Sequence, residues 1–199
     1  MNRFKFITLF LLMVGISFSQ TDKGKTMLLS QRLESTDGKV VTLDQIKGEK
    51  GLVIIFWSNT CPWVKKYEAR TVALIREYQK KGFGFVLVNS NDTRKFPAES
   101  LEEMGKKAQE GKYPCLYVKD RGSKLALALG AKRTPHVFVF NSREELVYQG
   151  AVDDNAEDAT LVKKAYLKTV LDALLQAKPV PYASTKAIGC TIKFYKQID

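Results

Sequence analysis

The sequence predicts a three-layer α/β domain, with a mixed sheet held between helices. Three observations carry that prediction. Two continuous apolar runs, Leu-Val-Ile-Ile-Phe-Trp at 52–57 and Phe-Gly-Phe-Val-Leu-Val-Asn at 83–89, have the composition of central strands buried on both faces. Between them, residues 62–80 repeat apolar side chains at helical spacing, with charges on the intervening positions. Later, 136–140 and 145–149 read as an antiparallel pair joined by a turn at Asn141 and Ser142.

Taken in order, residues 28–33 and 39–43 read as two short strands, because Asp37-Gly38 between them readily adopts the positive φ of a tight turn. After the strand at 52–57, Pro62 suits a first helical turn, where its missing N–H costs nothing. Val64, Tyr67, Val72, Leu74, Ile75 and Tyr78 mark the buried face of that helix, and Gly82 stops it. Beyond 83–89, a polar loop containing Pro97 leads to a helix over 100–109, with Ser100 as N-cap and Glu103 as its capping-box partner. A short strand at 113–118 and a short helix at 123–129, closed by Gly130, come next. Thr134-Pro135 then opens the strand pair. A long helix is expected over 159–176, ended by Pro179 and Pro181, and the tail 182–199 has little periodicity.

With 199 residues, 45% hydrophobic and 27% charged, the composition is that of one globular domain and excludes disorder and fibrous repeats. Arg3 and Lys5 precede an uncharged stretch over 6–18 that ends near small residues, the pattern of a secretory signal peptide cut near Gln20. The expected organisation is therefore a leader over 1–20 and a domain over 21–199, with a C-terminal tail from about 179, in the periplasm or outside the cell. An apolar stretch of 13 residues falls short of the roughly 18 that argue for a transmembrane helix. The net charge of +11 falls to +9 without Arg3 and Lys5. Its Lys and Arg are interleaved with acids rather than gathered into a stripe, so nucleic acid is not expected as a partner.

Cys61, Cys115 and Cys190 form no CxxC pair, and with one histidine, His136, no metal site or other cofactor is expected. Cys61 sits where an apolar strand hands over to a helix. Free backbone N–H groups and the helix dipole at such a place favour thiolate over thiol and expose the sulfur. The plainer reading is a small buried apolar residue.

Phe56-Trp57, three residues, Cys61, a helix, and Thr134-Pro135 before a strand together resemble thioredoxin. More closely the chain resembles the redoxin branch of that superfamily, over roughly 28–193. Its carriers are Asp37-Gly-Lys39, the run Thr60-Cys-Pro-Trp-Val-Lys-Lys-Tyr-Glu68, Gly150-Ala-Val-Asp-Asp154 and Gly189-Cys-Thr-Ile-Lys193. The resemblance implies a thioredoxin-like α/β/α sandwich, Cys61 as nucleophile, and Pro135 as the cis-proline beside it. Trp63, Thr134 and His136 become candidate binding residues. The usual second cysteine of thioredoxin is Val64 here, its buried acid is Ile55, and the peroxiredoxin proline seven residues before the nucleophile is Ile54, although Ser58 matches. A thioredoxin dithiol is thereby excluded.

The resemblance places a cysteine in the tail, so Cys190 is the preferred partner of Cys61, as resolving thiol or as a structural staple. Cys115 reads as a core thiol. His136 either stabilises a thiolate or turns away into the core, Glu68 is a solvated charge, and Asp153 and Asp154 accept protons or cap a loop. The leading expectation is an extracytoplasmic thiol–disulfide oxidoreductase acting on protein or small-molecule thiols and disulfides. The alternatives are a thiol peroxidase reducing hydroperoxides and a non-catalytic binding module on the same fold.

Overall fold

The computed structural model describes residues 28–195. The expected leader lies outside the described residues.

Alternation along β3 (Gly51–Phe56) explains the layers. Leu52, Ile54 and Phe56 enter one buried core, while Val53, Ile55 and the following Trp57 enter the other. Each such side chain contributes roughly 1.5–3 kcal/mol by leaving water, which is why the run is apolar at every position. Helices α2 (Pro62–Gln79), α3 (Leu101–Glu110) and α5 (Tyr166–Leu175) cover the Val53 face with Val64, Tyr67, Ile75, Met104, Val170 and Leu171. The short α1 (Leu43–Ile46) and α4 (Lys124–Leu129) cover the other with Leu43, Leu125 and Ala126.

The sheet runs in the order β2 (Val40–Val41), β1 (Leu33–Ser35), β5 (Leu116–Lys119), β4 (Phe83–Asn89), beside which stand β3, β7 (His136–Asn141) and β8 (Leu146–Gly150). The Trp57 N–H donates to the Val88 carbonyl at 2.7 Å where the two strips meet. Strands β4 and β5 are parallel and the other pairs antiparallel, so the sheet is mixed as expected. A separate two-stranded ladder joins β6 (Arg133–Thr134) to β9 (Cys190–Thr191).

Four expectations are corrected. Leu28 and Leu29 are helical rather than extended, and the second predicted strand stops at Val41. There the Gln45 side chain accepts the Thr42 N–H at 2.9 Å and turns 43–46 into a helix. At Ser100 only half of the capping box forms. Its hydroxyl accepts the Glu103 N–H, while the Ser100 N–H goes to the Pro97 carbonyl. The helix expected over 159–176 is broken. Asp154 takes the N–H groups of Lys163 and Lys164, Asp158 takes that of Thr160, and regular helix begins only at Tyr166.

Candidate functional site

The chain leaves β3 through Ser58-Asn59-Thr60 and reaches Cys61 as the N-cap of α2, with φ −74° and ψ 119° and Pro62 as the first helical residue. The position is the one expected, but the exposure is not. Cys61 is 4% exposed, because the β6–β9 ladder lies over the helix end. Its thiol donates to the Thr134 carbonyl at 3.1 Å.

Thr134 opposes Cys190 in that ladder, and the Thr134–Pro135 peptide is cis. The approach is close: a Cβ on Gly189 would stand 2.1 Å from the Thr134 carbonyl oxygen, so only glycine fits. Cys190 thereby comes within hydrogen-bonding reach of Cys61 and of the Trp63 N–H in the first turn of α2. Burial first, and then the neighbouring Cys61, push the Cys190 thiol up to about 11, with the Trp63 N–H pulling the other way. All three cysteines are free thiols. Cys61 and Cys190 share a cleft of about 220 Å³ with Ser58, Thr60, Asn91, Thr134 and Lys193.

Beneath the cleft lies a polar cluster that the sequence reading missed. Glu99, 1% exposed, accepts from the Ser58 hydroxyl (2.6 Å), the Asn59 N–H (2.9 Å), the Thr60 hydroxyl (2.6 Å) and N–H (3.2 Å), and the Asn89 amide (2.5 Å). Burial opposes its charge, but these donors outweigh burial and hold the carboxyl below its ordinary pKa. Four of these five bonds come from the three residues that lead into Cys61, and the fifth ties Glu99 to β4. Lys119, also 1% exposed, donates to the Glu99 carbonyl, the Asn91 carbonyl and the Asn89 side chain, and burial lowers its pKa to about 8. A buried carboxylate thus stands at the Cys61 cleft, carried by the turn at Pro97–Glu99 rather than by position 55. Asn89, Ser90, Asn91 and Asp92, a polar run at the carboxyl end of a central strand, were the signal available, since sites on parallel sheets gather at that end.

The remaining candidates separate. Trp63 is half-buried beside the cleft, with the Lys66 ammonium 5.2 Å from its ring centre. His136 stacks on Phe138 and its Nδ1 accepts the Lys132 N–H at 3.4 Å, and it lines a neighbouring hollow with Gln149 and Thr185 rather than the Cys61 cleft. Burial lowers its pKa to about 4, so at neutral pH it offers no imidazolium. Cys115, at the far end of β5, has its thiol pushed up to about 12 by burial. Glu68 is not a solvated charge: it accepts from the Tyr113 hydroxyl (2.5 Å) and Lys107 (3.0 Å), and Tyr113 in turn accepts the Trp57 indole N–H. Asp153 pairs with Arg70 at 2.9 Å while Asp154 holds backbone N–H groups, so both organise a loop. Among the described residues no His, Cys, Asp and Glu gather into a metal site, and no helix is long and apolar enough to cross a membrane.

Comparison with known proteins agrees with this geometry. The family profile of Redoxin matches residues 19–169. An uncharacterised conserved protein of Geobacillus kaustophilus is 36% identical, with a TM-score of 0.80 over 85% of this chain and 92% of its own. A hypothetical protein of Sinorhizobium meliloti is 33% identical, with a TM-score of 0.78 over 84% of this chain and 92% of its own. Peroxidoxin BcpB of Mycobacterium tuberculosis, at 16% identity and a TM-score of 0.56 over 74% of this chain and 92% of its own, shares the fold alone. No curated protein sequence matches. With a thioredoxin-like mixed sheet, a cysteine capping the helix after its central strand and a family match over most of its length, the chain belongs to the redoxin family, whose function is of the thiol oxidoreductase or peroxidase type.

Proposed function

We propose that the protein is an extracytoplasmic thiol–disulfide oxidoreductase in which Cys61 is the nucleophile and Cys190 resolves it. The observation that carries this reading is the placement of two free thiols, 129 positions apart in the numbering from Cys61 to Cys190, in one cleft at the N-terminus of α2. In the reaction, the Cys61 thiolate attacks one sulfur of a disulfide R–S–S–R. The S–S bond breaks, RS⁻ leaves and takes up a proton, and a Cys61–S–S–R mixed disulfide forms. Cys190, deprotonated in its turn, attacks the Cys61 sulfur and expels the second RS⁻. Two electrons have passed to the substrate, and the protein holds a Cys61–Cys190 disulfide that an external dithiol reduces. The Trp63 N–H is placed to stabilise negative charge on Cys190 during resolution.

The roles of Thr134 and Pro135 are positional: the Thr134 carbonyl holds the Cys61 thiol and its strand holds Cys190. Export rests on the leader pattern at 1–20. A peroxidase is the less supported reading, since the Ser58 and Thr60 hydroxyls, available donors for a peroxide, are both committed to Glu99. The test is trapping. Reduced Cys190→Ser, mixed with a small disulfide, should accumulate one mixed disulfide mapped to Cys61 by peptide mass, while the parent protein passes on to the internal disulfide. Accumulation in the parent protein as well, with no internal disulfide, would remove Cys190 from the mechanism. Rapid consumption of hydroperoxide with slow disulfide exchange would favour the peroxidase.

A further inference from the structure

We propose that the tail over 183–195 occupies the edge against which a polypeptide substrate would dock, and so confines Cys61 to low-molecular-weight disulfides; this rests on the thiol–disulfide reading above. The cystine of a protein brings main chain on both sides of its sulfur. To reach Cys61 beside Thr134, that chain has to lie along β6, where an extended partner would sit within about 4.8 Å and exchange main-chain hydrogen bonds. β9 already fills that place, with Cys190 opposite Thr134 and Thr191 opposite Arg133. The Ile192 N–H continues the ladder to the Lys132 carbonyl at 3.1 Å.

The tail is tied down on both sides of Cys190. Upstream, Thr185 accepts the Ala151 N–H on its hydroxyl (3.0 Å), shares a hydrogen bond with the Tyr148 hydroxyl (2.7 Å) and donates its own N–H to Gln149 (3.0 Å). Downstream, Ile192 is buried in the core, the Lys193 N–H reaches the Asn91 side chain (2.8 Å) and the Lys193 carbonyl accepts the Asp92 N–H (2.7 Å). What stays open is the cleft of about 220 Å³, below the roughly 300–1,000 Å³ of ordinary ligand pockets. That space admits the sulfur end of a small disulfide and no flanking polypeptide. Exclusion follows as a population effect: a protein partner reacts only in the fraction of molecules whose tail has left β6.

The test isolates the first step in full-length chains carrying Cys190→Ser, which leaves β9 in place and stops resolution. Rates of mixed-disulfide formation at Cys61 are measured with 2-hydroxyethyl disulfide and with insulin. The second variant adds Gly189→Ala, whose Cβ would meet the Thr134 carbonyl oxygen at 2.1 Å and so push the strand off. A third uses Ile192→Ser instead, which removes the buried anchor without touching β6. Loosening the tail is expected to raise the insulin rate about tenfold or more while the small-disulfide rate stays within about threefold. Insulin rates unchanged in both loosened chains, or an intact-tail chain that already attacks insulin as fast as the small disulfide, overturn the proposal and leave the oxidoreductase reading standing. No reaction of Cys61 with either disulfide in any chain overturns both.

Discussion

Cys61-Pro62 and Pro114-Cys115 are near mirror images in sequence, and the fold treats them oppositely. Both lie at junctions between a strand and its connection. At the carboxyl end of β3, Cys61 caps an 18-residue helix, meets a second thiol and rests on a loop fixed by Glu99. At the amino end of β5, Cys115 has no thiol beside it, and burial raises its pKa to about 12 against the pull of backbone hydrogen bonds from Leu87 and Cys115 itself. The difference teaches that the surroundings of a cysteine are set by what the chain brings to it from far away: Thr134, Cys190 and Glu99 here. Proline beside cysteine decides nothing by itself.

The comparison breaks most sharply on activity. In turnover of a small disulfide by an external dithiol, Cys61→Ser should lower kcat/KM by about 10³-fold or more, since no other thiol lies where Cys61 does. Cys115→Ser should stay within about twofold, because Cys115 lines a hollow at the other end of the strands. A loss with Cys115→Ser close to that of Cys61→Ser would place chemistry at both junctions and end the contrast.

The next largest effect is in stability. Glu99→Gln keeps the shape of the side chain but puts an amide N–H among groups that all donate, and removes the carboxylate that most favours the buried Lys119 ammonium. A cost of roughly 3–5 kcal/mol is expected in urea unfolding, the range for breaking a buried charge network. Cys115→Ala should cost no more than about 2 kcal/mol, as the loss of a few apolar contacts. The two values coming out equal would mean that Glu99 is solvated and that the loop before Cys61 holds itself.

The layers and the position of Cys61 were legible because they rest on local pattern. The apolar run at 52–57 and the helical period after Pro62 locate Cys61 without reference to anything distant. The T-x-x-Q signature at 42–45 was equally local, and it ends the second strand at Val41 instead of Leu43. Glu99 was illegible for another reason. It follows Pro97 in a polar loop, and its meaning depends on 40 residues of intervening helix and strand returning it to Ser58. Glu68 deceived in the same way, since helical spacing leaves it on the flank of α2 and only the return of Tyr113 and Lys107 covers it. The break in the last helix likewise depends on Asp154 capturing N–H groups nine and ten residues on.

The smallest effect concerns a residue that touches the site in sequence and not in space. His136 follows Pro135 directly, yet its ring sits on Phe138 on the side of the neighbouring hollow, and its pKa falls from the ordinary 6.5 to about 4 through burial. The sign follows from proton uptake. An unfolded chain protonates its histidine near 6.5 and the folded chain only near 4, so between those values the unfolded state binds more protons and stability rises with pH. Acidification from 6.5 to 4 should therefore cost up to about 3 kcal/mol at 1.36 kcal/mol per unit, less what solvent reaching the half-buried ring relieves, with no further loss from this residue below 4. Carboxylates titrate over the same range, so the quantity to measure is the difference in urea unfolding between the parent protein and His136→Phe, which keeps the stacking and has nothing to protonate. That difference should grow as pH falls from 6.5 to 4 and then level off, while the one imidazole in the chain titrates near 4 by NMR. Parallel pH profiles, or an imidazole titrating near 6.5, would put the ring in solvent and return His136 to the groups able to carry positive charge near Cys61, against the separation that the fold makes between the two sides of β6.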